Sequence, residues 1–187
     1  MSKAVLISIR PKWVEKIANG EKTIEVRKTR PKLATPFKAY IYCSAGGDKL
    51  WIRDAAWRDR WMSGPISFLV NAKKCGGMNI GNGRVIGKFT CDRIYKLAPL
   101  NHAPDDVEKQ ACLTREEIVN YLKGTGYGWH ISDLRIYDTP RELSEFQRAT
   151  DQCDSCHAEY TWECTGCKKL SGDIKRAPQS WCYVEEG

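Results

Sequence analysis

Residues 20–28 read GEKTIEVRK, and this stretch holds side chains that could bind or attack a phosphate or carbonyl group. Successive side chains of a strand alternate between two faces, so Ile24 and Val26 would face the core. The opposite face would carry Thr23, Glu25 and Arg27, with Lys22 where the strand begins. That face is either an ordinary solvated surface or one wall of a cleft.

Lys22 and Glu25 are the residues of this stretch that could act in catalysis. A buried lysine can lose its proton, but a neighbouring carboxylate favours the charged form, so we expect Lys22 to stay protonated beside Glu25. A charged lysine suits recognition of a phosphate or carbonyl better than proton abstraction. Cleavage of RNA without a metal would need a base and an acid beside the 2′-hydroxyl, and His130 and Glu25 are the candidates.

Basic and aromatic residues flank the stretch. Arg10, Lys12 and Trp13 precede it by one predicted helix, and Lys28 closes it. Bases stack on aromatic faces and phosphates pair with cations, so Trp13 or Trp129 could serve as a stacking platform. These basic and aromatic neighbours favour the interpretation that residues 20–28 form the wall of a cleft rather than a solvated surface.

The composition fits a soluble, folded protein with an anionic partner. The chain has 187 residues, 42% of them hydrophobic, and a formal net charge of +7, which favours a polyanionic partner without requiring one. No apolar run approaches the roughly 20 residues that span a bilayer, and the N-terminus lacks the pattern of a signal peptide. We therefore expect a single cytoplasmic domain over residues 1–187.

Four of the nine cysteines form two C-x-x-C pairs, Cys153 with Cys156 and Cys164 with Cys167. Two such pairs can supply four thiolates to a tetrahedral zinc ion, and four sulfurs leave no open coordination position. The sequence therefore predicts a structural zinc in a hairpin insertion over residues 150–172. A redox dithiol is the alternative, and it would need only one of the pairs. Most of the other five cysteines are expected to be small buried hydrophobes.

Hydrophobic periodicity and capping signals predict many strands and few helices. The predicted strands are residues 4–10, 22–29, 38–44, 83–97, 127–138 and 180–186. Predicted helices cover residues 11–20 and begin at capping boxes on Thr114 and Thr139. Residues 45–83 are interpreted as a Trp/Arg-rich and Gly-rich insertion, with Leu50, Ala55, Trp57 and Trp61 at loosely helical spacing. Helices are too few for a doubly wound sheet, so we predict an α+β class, a small mixed barrel with rim helices.

The segments ISIRPKWVEKIANGEKTIEVRK, YIYCS, VIGKF, YGWHIS and PQSWCYVEE together resemble the ASCH domain family of the PUA-like superfamily. The resemblance covers residues 3–44, 84–145 and 177–186, and it is strongest to ASCH-domain proteins of prophage-type gene sets. It implies a PUA-like β-barrel whose cleft, beside the GEKTIEVRK strand, accepts RNA or a nucleoside. The residues that would contact the nucleic acid are Arg10, Lys12, Trp13, Lys22, Thr23, Glu25, Arg27, Lys28, Ser44, Trp129 and His130.

Activities differ within the family that the chain resembles. One branch hydrolyses the amide of N4-acetylcytidine with the pattern G-x-K-T-x-T, in which Lys22 and Thr23 match and Glu25 replaces the second threonine. Three functions therefore stay open: a module that binds RNA or a modified nucleotide, a nucleoside amidohydrolase or ribonuclease that uses Lys22 and Glu25, and a protein-interaction adaptor built on the zinc hairpin. The sequence alone does not decide whether the protein is an enzyme.

Overall fold

The computed structural model describes residues 3–54, 65–69, 76, 78–97, 102–149, 172 and 174–186. Its strands are β1 (Lys3–Ile9), β2 (Ile24–Arg27), β3 (Phe37–Cys43), β4 (Leu50–Arg53), β5 (Ser67–Leu69), β6 (Met78–Ile80), β7 (Val85–Cys91), β8 (Ile94–Lys96), β9 (Tyr127–His130), β10 (Ser132–Arg141) and β11 (Trp181–Glu185). Its helices are α1 (Pro11–Ala18), α2 (Val107–Ala111), α3 (Arg115–Leu122) and a 3-10 turn (Leu143–Glu145). No helix in these ranges is long and apolar enough to cross a membrane.

The largest sheet has five strands in the order β10-β7-β3-β1-β11. β1 runs parallel to β3, and the other neighbours are antiparallel. The predicted alternation of β1 is confirmed, since Val5, Ile7 and Ile9 join one hydrophobic cluster while Ala4 and Leu6 join another on the opposite face. Apolar clusters therefore cover both faces of the sheet. The ends of β1 and β3 belong to this packed sheet, and they border the cavity described below.

A second sheet, in the order β2-β9-β8, carries the GEKTIEVRK strand. Ile24 and Val26 pack into a cluster with the buried residues of α2 and α3, as the alternation predicts. α1 leads into this strand: Pro11 occupies its first turn, where a missing N–H is tolerated, and Gly20 turns the chain at a φ of +77°. After this left-handed turn the backbone N–H of Lys22 donates to the Lys16 carbonyl oxygen of α1, 3.1 Å away.

A third sheet, in the order β5-β4-β6, lies within the predicted insertion. The prediction that Leu50 belongs to a helix is wrong. Leu50 begins the strand β4, whose first three residues are all buried. With both faces covered, such a strand reads as a continuous apolar run rather than an alternation. Ala55, Trp57 and Trp61 lie outside the described residues.

The second half of the chain departs from prediction in four places. The strand predicted over residues 127–138 is divided at Ile131 into β9 and β10, which belong to different sheets. The strand predicted over residues 83–97 is divided into β7 and β8, and the short helix α2 was not predicted. Thr114 does form the predicted capping box with Glu117 at the start of α3. Thr139 does not cap a helix, because β10 continues through it and Glu142 and Glu145 make the reciprocal cap instead.

The class is α+β, with three sheets and few helices. The described residues do not show a closed barrel, because their strands fall into three separately hydrogen-bonded sheets. The zinc hairpin predicted for residues 150–172 falls almost wholly outside the described residues.

Candidate functional site

A cavity of about 580 Å³ opens where the ends of β1 and β3 meet β2, α1 and α3. Six residues predicted to contact nucleic acid line it: Arg10, Trp13, Lys22, Glu25, Arg27 and Ser44. They come from three separate segments, and each segment is held by the sheet or helix beside it. Ser44, for example, follows β3 and donates its backbone N–H to the Ile9 carbonyl at the end of β1, 2.8 Å away.

Three charged side chains of the GEKTIEVRK stretch converge at the cavity wall. Lys22, Glu25 and Arg27 have 3%, 6% and 7% of their surface exposed, so the solvated-face interpretation is wrong. Glu25 contacts both cations: Oε2 lies 3.5 Å from Lys22 Nζ, and Oε1 lies 3.0 Å from Arg27 Nη2. We call these three side chains the buried triad.

Backbone carbonyls from distant segments fix the two cations. Lys22 Nζ donates to the Ala111 carbonyl oxygen at the end of α2, 2.7 Å away. Arg27 Nη2 donates to the Ser8 carbonyl oxygen on β1, 2.6 Å away, while Arg27 Nε is buried without a hydrogen-bond partner among the described residues. Lys22 and Arg27 are thus held by β1 and α2 as well as by their own strand.

Burial lowers the pKa of Lys22 below its ordinary value, although the neighbouring Glu25 acts in the opposite direction. The sequence-based expectation gave more weight to Glu25 and had the lysine held in its charged form. Desolvation of the ammonium group outweighs the carboxylate because Lys22 is almost entirely removed from water. Lys22 therefore loses its proton more readily than the sequence-based expectation had it.

Three other predicted residues do not reach the cavity wall. Trp129 is completely buried against Phe37 and Trp181, so its predicted role as a stacking platform is wrong. Thr23 does not line the cavity, and its hydroxyl donates to Gln110 Oε1 on α2, 3.3 Å away. His130 instead pairs with Asp92, whose carboxylate lies 2.6 Å from the imidazole Nδ1.

Lys12 and Lys28 lie near the cavity without lining it. The Lys12 ammonium is 4.8 Å from the centroid of the Trp13 ring, and Lys22 approaches the same ring to 5.3 Å. The Lys28 ammonium lies 5.5 Å from the ring centroid of Tyr121. These contacts keep two further cations beside aromatic rings of the wall.

Sequence reasoning missed two tyrosines of the wall, Tyr42 and Tyr121. Tyr42 is buried on β3, and burial raises the pKa of its hydroxyl. Tyr121 follows Ile118 by three positions on α3, which is the spacing of the apolar face of a helix. The feature of the sequence that could have drawn attention to Tyr121 is its position in the last turn of α3, next to the end of the helix at Lys123.

The cysteines predicted to bind zinc, Cys153, Cys156, Cys164 and Cys167, lie outside the described residues. Within the residues that are described, no group of three or more potential ligands could hold a metal ion. Of the scattered cysteines, Cys43 and Cys91 are buried and Cys112 and Cys182 are half-buried, while Cys75 is not among the described residues.

Solved structures with a similar fold include ASCH from Zymomonas mobilis, which is 16% identical with a TM-score of 0.52 over 98% of this chain and 88% of that chain. Two mutant forms of that protein match with TM-scores of 0.53 and 0.54 at 16% and 14% identity, covering 99% and 98% of this chain and 92% and 89% of theirs. The chain has an ASCH fold. No protein-family model and no curated protein matches the sequence. The predicted resemblance is thus confirmed for the fold, while the kinship with prophage-type proteins stays a prediction.

Proposed function

We propose that this chain binds RNA or a modified nucleotide in the cavity beside the GEKTIEVRK strand. The observation that carries the proposal is the buried triad, three charged side chains held in the wall of a 580 Å³ cavity. Removing a charged side chain from water costs free energy, so buried charges are usually paired with an opposite charge or take part in the function of the protein. The volume falls in the range of about 300–1,000 Å³ that is typical of small-molecule sites.

The charge of the cavity wall supports an anionic ligand. Arg10, Lys22 and Arg27 line it together with one carboxylate, Glu25. When Lys22 is protonated, the wall has an excess of positive charge, which attracts the phosphate of a nucleotide. The ASCH fold is compatible with this proposal, since proteins of PUA-like families are associated with RNA binding or hydrolysis.

Binding can be tested with a fluorescein-labelled, ten-nucleotide single-stranded RNA and fluorescence anisotropy. We expect the affinity to fall between about 50 and 200 mM salt, because phosphate contacts release counterions. Arg10→Ala and Lys22→Met should weaken binding. Lys96→Ala is the matched control, because Lys96 is an exposed lysine of β8 outside the cavity wall. An affinity that does not change with salt, or equal losses in all three variants, would contradict the proposal.

Hydrolysis is the second candidate function, and the lowered pKa of Lys22 favours it. A lysine with a lowered pKa can act as a general base. The position of Thr23 argues against the N4-acetylcytidine amidohydrolase pattern, because its hydroxyl faces Gln110 rather than the cavity. If Lys22→Ala abolished cleavage of single-stranded RNA or of acetylated cytidine without loss of binding, the enzyme would be supported. No turnover by the wild type would exclude these two reactions.

We also propose that the two C-x-x-C pairs hold a structural zinc ion. Four thiolates with this spacing match the donor set of a closed tetrahedral site. The purified protein should contain about one zinc per chain by elemental analysis. Cys153→Ser with Cys164→Ser should remove it, whereas Cys182→Ser should not. Full zinc content in the double variant would contradict the assignment.

A further inference from the structure

A second cavity, of about 450 Å³, lies on the five-stranded sheet away from the first. Its cations Lys38, Lys88 and Arg135 come from three adjacent strands, β3, β7 and β10. Lys38 is near the start of β3, whereas Ser44 of the first cavity follows the end of that strand. The two cavities share no lining residue, and roughly 20 Å of β3 separates them. We call this second space the sheet cavity.

A β-bulge in β10 brings two of these cations together. Ser132 of β10 pairs with Thr90 of β7. Regular antiparallel pairing from that point would place Leu134 opposite Lys88. One extra residue shifts the register, and Arg135 lies opposite Lys88 instead. Directly opposite side chains share one face of a sheet, so the bulge puts two cations side by side in the cavity wall.

This arrangement has two local costs. Like charges directly opposite each other destabilise a sheet. In the parts of the chain that the structure describes, neither Lys88 nor Arg135 forms an ion pair, whereas Lys38 pairs with Glu186. The bulge also holds Asp133 at a φ of +46°, a left-handed conformation that is unfavourable for residues other than glycine. Backbone outliers of this kind cluster at ligand sites, which points to a function for the sheet cavity.

Packing of the core explains the bulge but not the pair of cations. Leu134 contacts the hydrophobic core, so the shifted register has a structural role as well. Any polar side chain at position 135 would serve that role, because Arg135 itself is exposed. A bound anion between Lys88 and Arg135 would remove the repulsion that the register creates.

We propose that the sheet cavity binds a diphosphate group, with one phosphate on the guanidinium of Arg135 and the other on the ammonium of Lys88. A guanidinium can donate two parallel N–H bonds to one phosphate. The Cβ atoms of directly opposite residues are about 5 Å apart, whereas carboxylates on one face of an extended peptide lie about 7 Å apart. Two cations this close suit linked phosphates better than an acidic peptide. The inference does not depend on RNA binding, because it concerns a different cavity.

The first test measures binding of inorganic diphosphate in magnesium-free buffer by isothermal titration calorimetry. Arg135→Gln and Lys88→Gln should each weaken binding about tenfold, because each removes a charge-assisted hydrogen bond. Lys96→Gln is the matched control, since Lys96 is exposed on β8 outside the cavity wall, and Arg10→Ala reports binding in the first cavity. A loss in Arg10→Ala without a loss in Arg135→Gln would overturn the proposal. Equal losses in all four variants, or no binding by the folded wild type, would overturn it as well.

The second test identifies the ligand. Diphosphate should bind at least about tenfold more tightly than inorganic phosphate, since it engages both cations. If adenosine diphosphate binds more tightly still and is weakened in Arg135→Gln, the source of the group is a nucleotide; if it binds no more tightly, the source is free diphosphate, and either result supports the site. Equal affinity for phosphate and diphosphate, or tighter binding of a hexaglutamate peptide, would overturn the diphosphate assignment.

A third variant tests the position of the anion. Asp133 brings a carboxylate to the cavity wall, and Asp133→Asn removes its charge while keeping a residue that tolerates the left-handed conformation. Binding of diphosphate should become severalfold tighter in this variant. Asp105→Asn is the control, because Asp105 is exposed and lies outside the cavity wall. An unchanged affinity in Asp133→Asn would show that the anion binds elsewhere and would overturn the assignment.

Discussion

The buried triad makes a sharp prediction for the substitution Glu25→Gln, which keeps the shape of the side chain and removes its charge. Glu25 lies 3.0 Å from Arg27 and 3.5 Å from Lys22. With an effective dielectric constant of about 20, each contact corresponds to about 5 kcal/mol of attraction. Most of this attraction offsets the cost of burying the charges. Removal of one partner from a buried ion pair costs about 3–5 kcal/mol, and we expect a loss of this size in the free energy of unfolding.

Urea denaturation at pH 7 measures the effect, with Glu21→Gln as the matched control. Glu21 also contacts a lysine, since its Oε2 lies 2.9 Å from Lys16 Nζ, but these side chains are 54% and 31% exposed, far more than the buried triad. An exposed pair of this kind contributes about 1 kcal/mol or less, so the control should lose little stability. The double variant Lys22→Met/Glu25→Gln should recover part of the loss, because only one cation then stays buried without its carboxylate.

Equal losses in Glu25→Gln and Glu21→Gln would refute this reasoning. The triad would then be hydrated like a surface ion pair, and its burial would not indicate a functional role. A change in the slope of unfolding against urea would point instead to a change in the folded or unfolded state, and the comparison must be made at constant slope.

Three further predictions concern protonation and packing. Burial lowers the pKa of Lys22 in the folded protein from its ordinary 10.5, so between the lowered value and pH 10.5 the unfolded chain binds more protons than the folded protein. In that pH range the free energy of unfolding of the wild type should rise with pH relative to that of Lys22→Met. Burial raises the pKa of the Cys43 and Cys91 thiols to about 12, so peptide mapping after iodoacetamide treatment at pH 8 should find both unmodified in the native protein and modified in urea. Gly87→Ala should destabilise the protein by about 1–3 kcal/mol in urea, because a Cβ at this site of β7 would collide with a backbone carbonyl of β10, whereas Gly46→Ala, with open space around it, should not.

Local patterns predicted the elements whose signals lie within a few neighbouring residues. Pro11 at the start of α1 and the Thr114 capping box each depend on one turn of helix, and both are confirmed. The alternation of Ile24 and Val26 is confirmed because these side chains face the helices. Such signals need no knowledge of distant parts of the chain.

Features that depend on distant contacts were mispredicted. Trp129 faces Glu25 across two strands, yet Phe37 and Trp181 bury its ring, and nothing near Trp129 in the sequence shows this. Thr139 has the residue pattern of a helix start, but it lies inside β10, which pairs with β7 on both sides of it, at Ile136 and at Arg141. In both cases tertiary packing overrides a correct local preference.

The site itself could be predicted only in part, for the same physical reason. The sequence placed Lys22, Glu25 and Arg27 close together on a strand, but their burial depends on Ala111 and Ser8, which contact them from far along the chain. Desolvation, and with it the direction of the Lys22 pKa, is a property of the assembled cavity. The sequence of the strand alone does not reveal this desolvation.

The charge state of the triad connects the two candidate functions. With Lys22 neutral, Glu25 and Arg27 balance each other; with Lys22 protonated, the triad has one excess positive charge in a poorly hydrated wall. An anion bound in the cavity would favour the protonated lysine, since an opposite charge stabilises the charged form. Ligand binding and proton uptake at Lys22 would then be linked, because each favours the other. A phosphate bound next to Lys22 therefore works against its use as a base, and the buried triad suits retention of an anionic ligand better than proton abstraction from it.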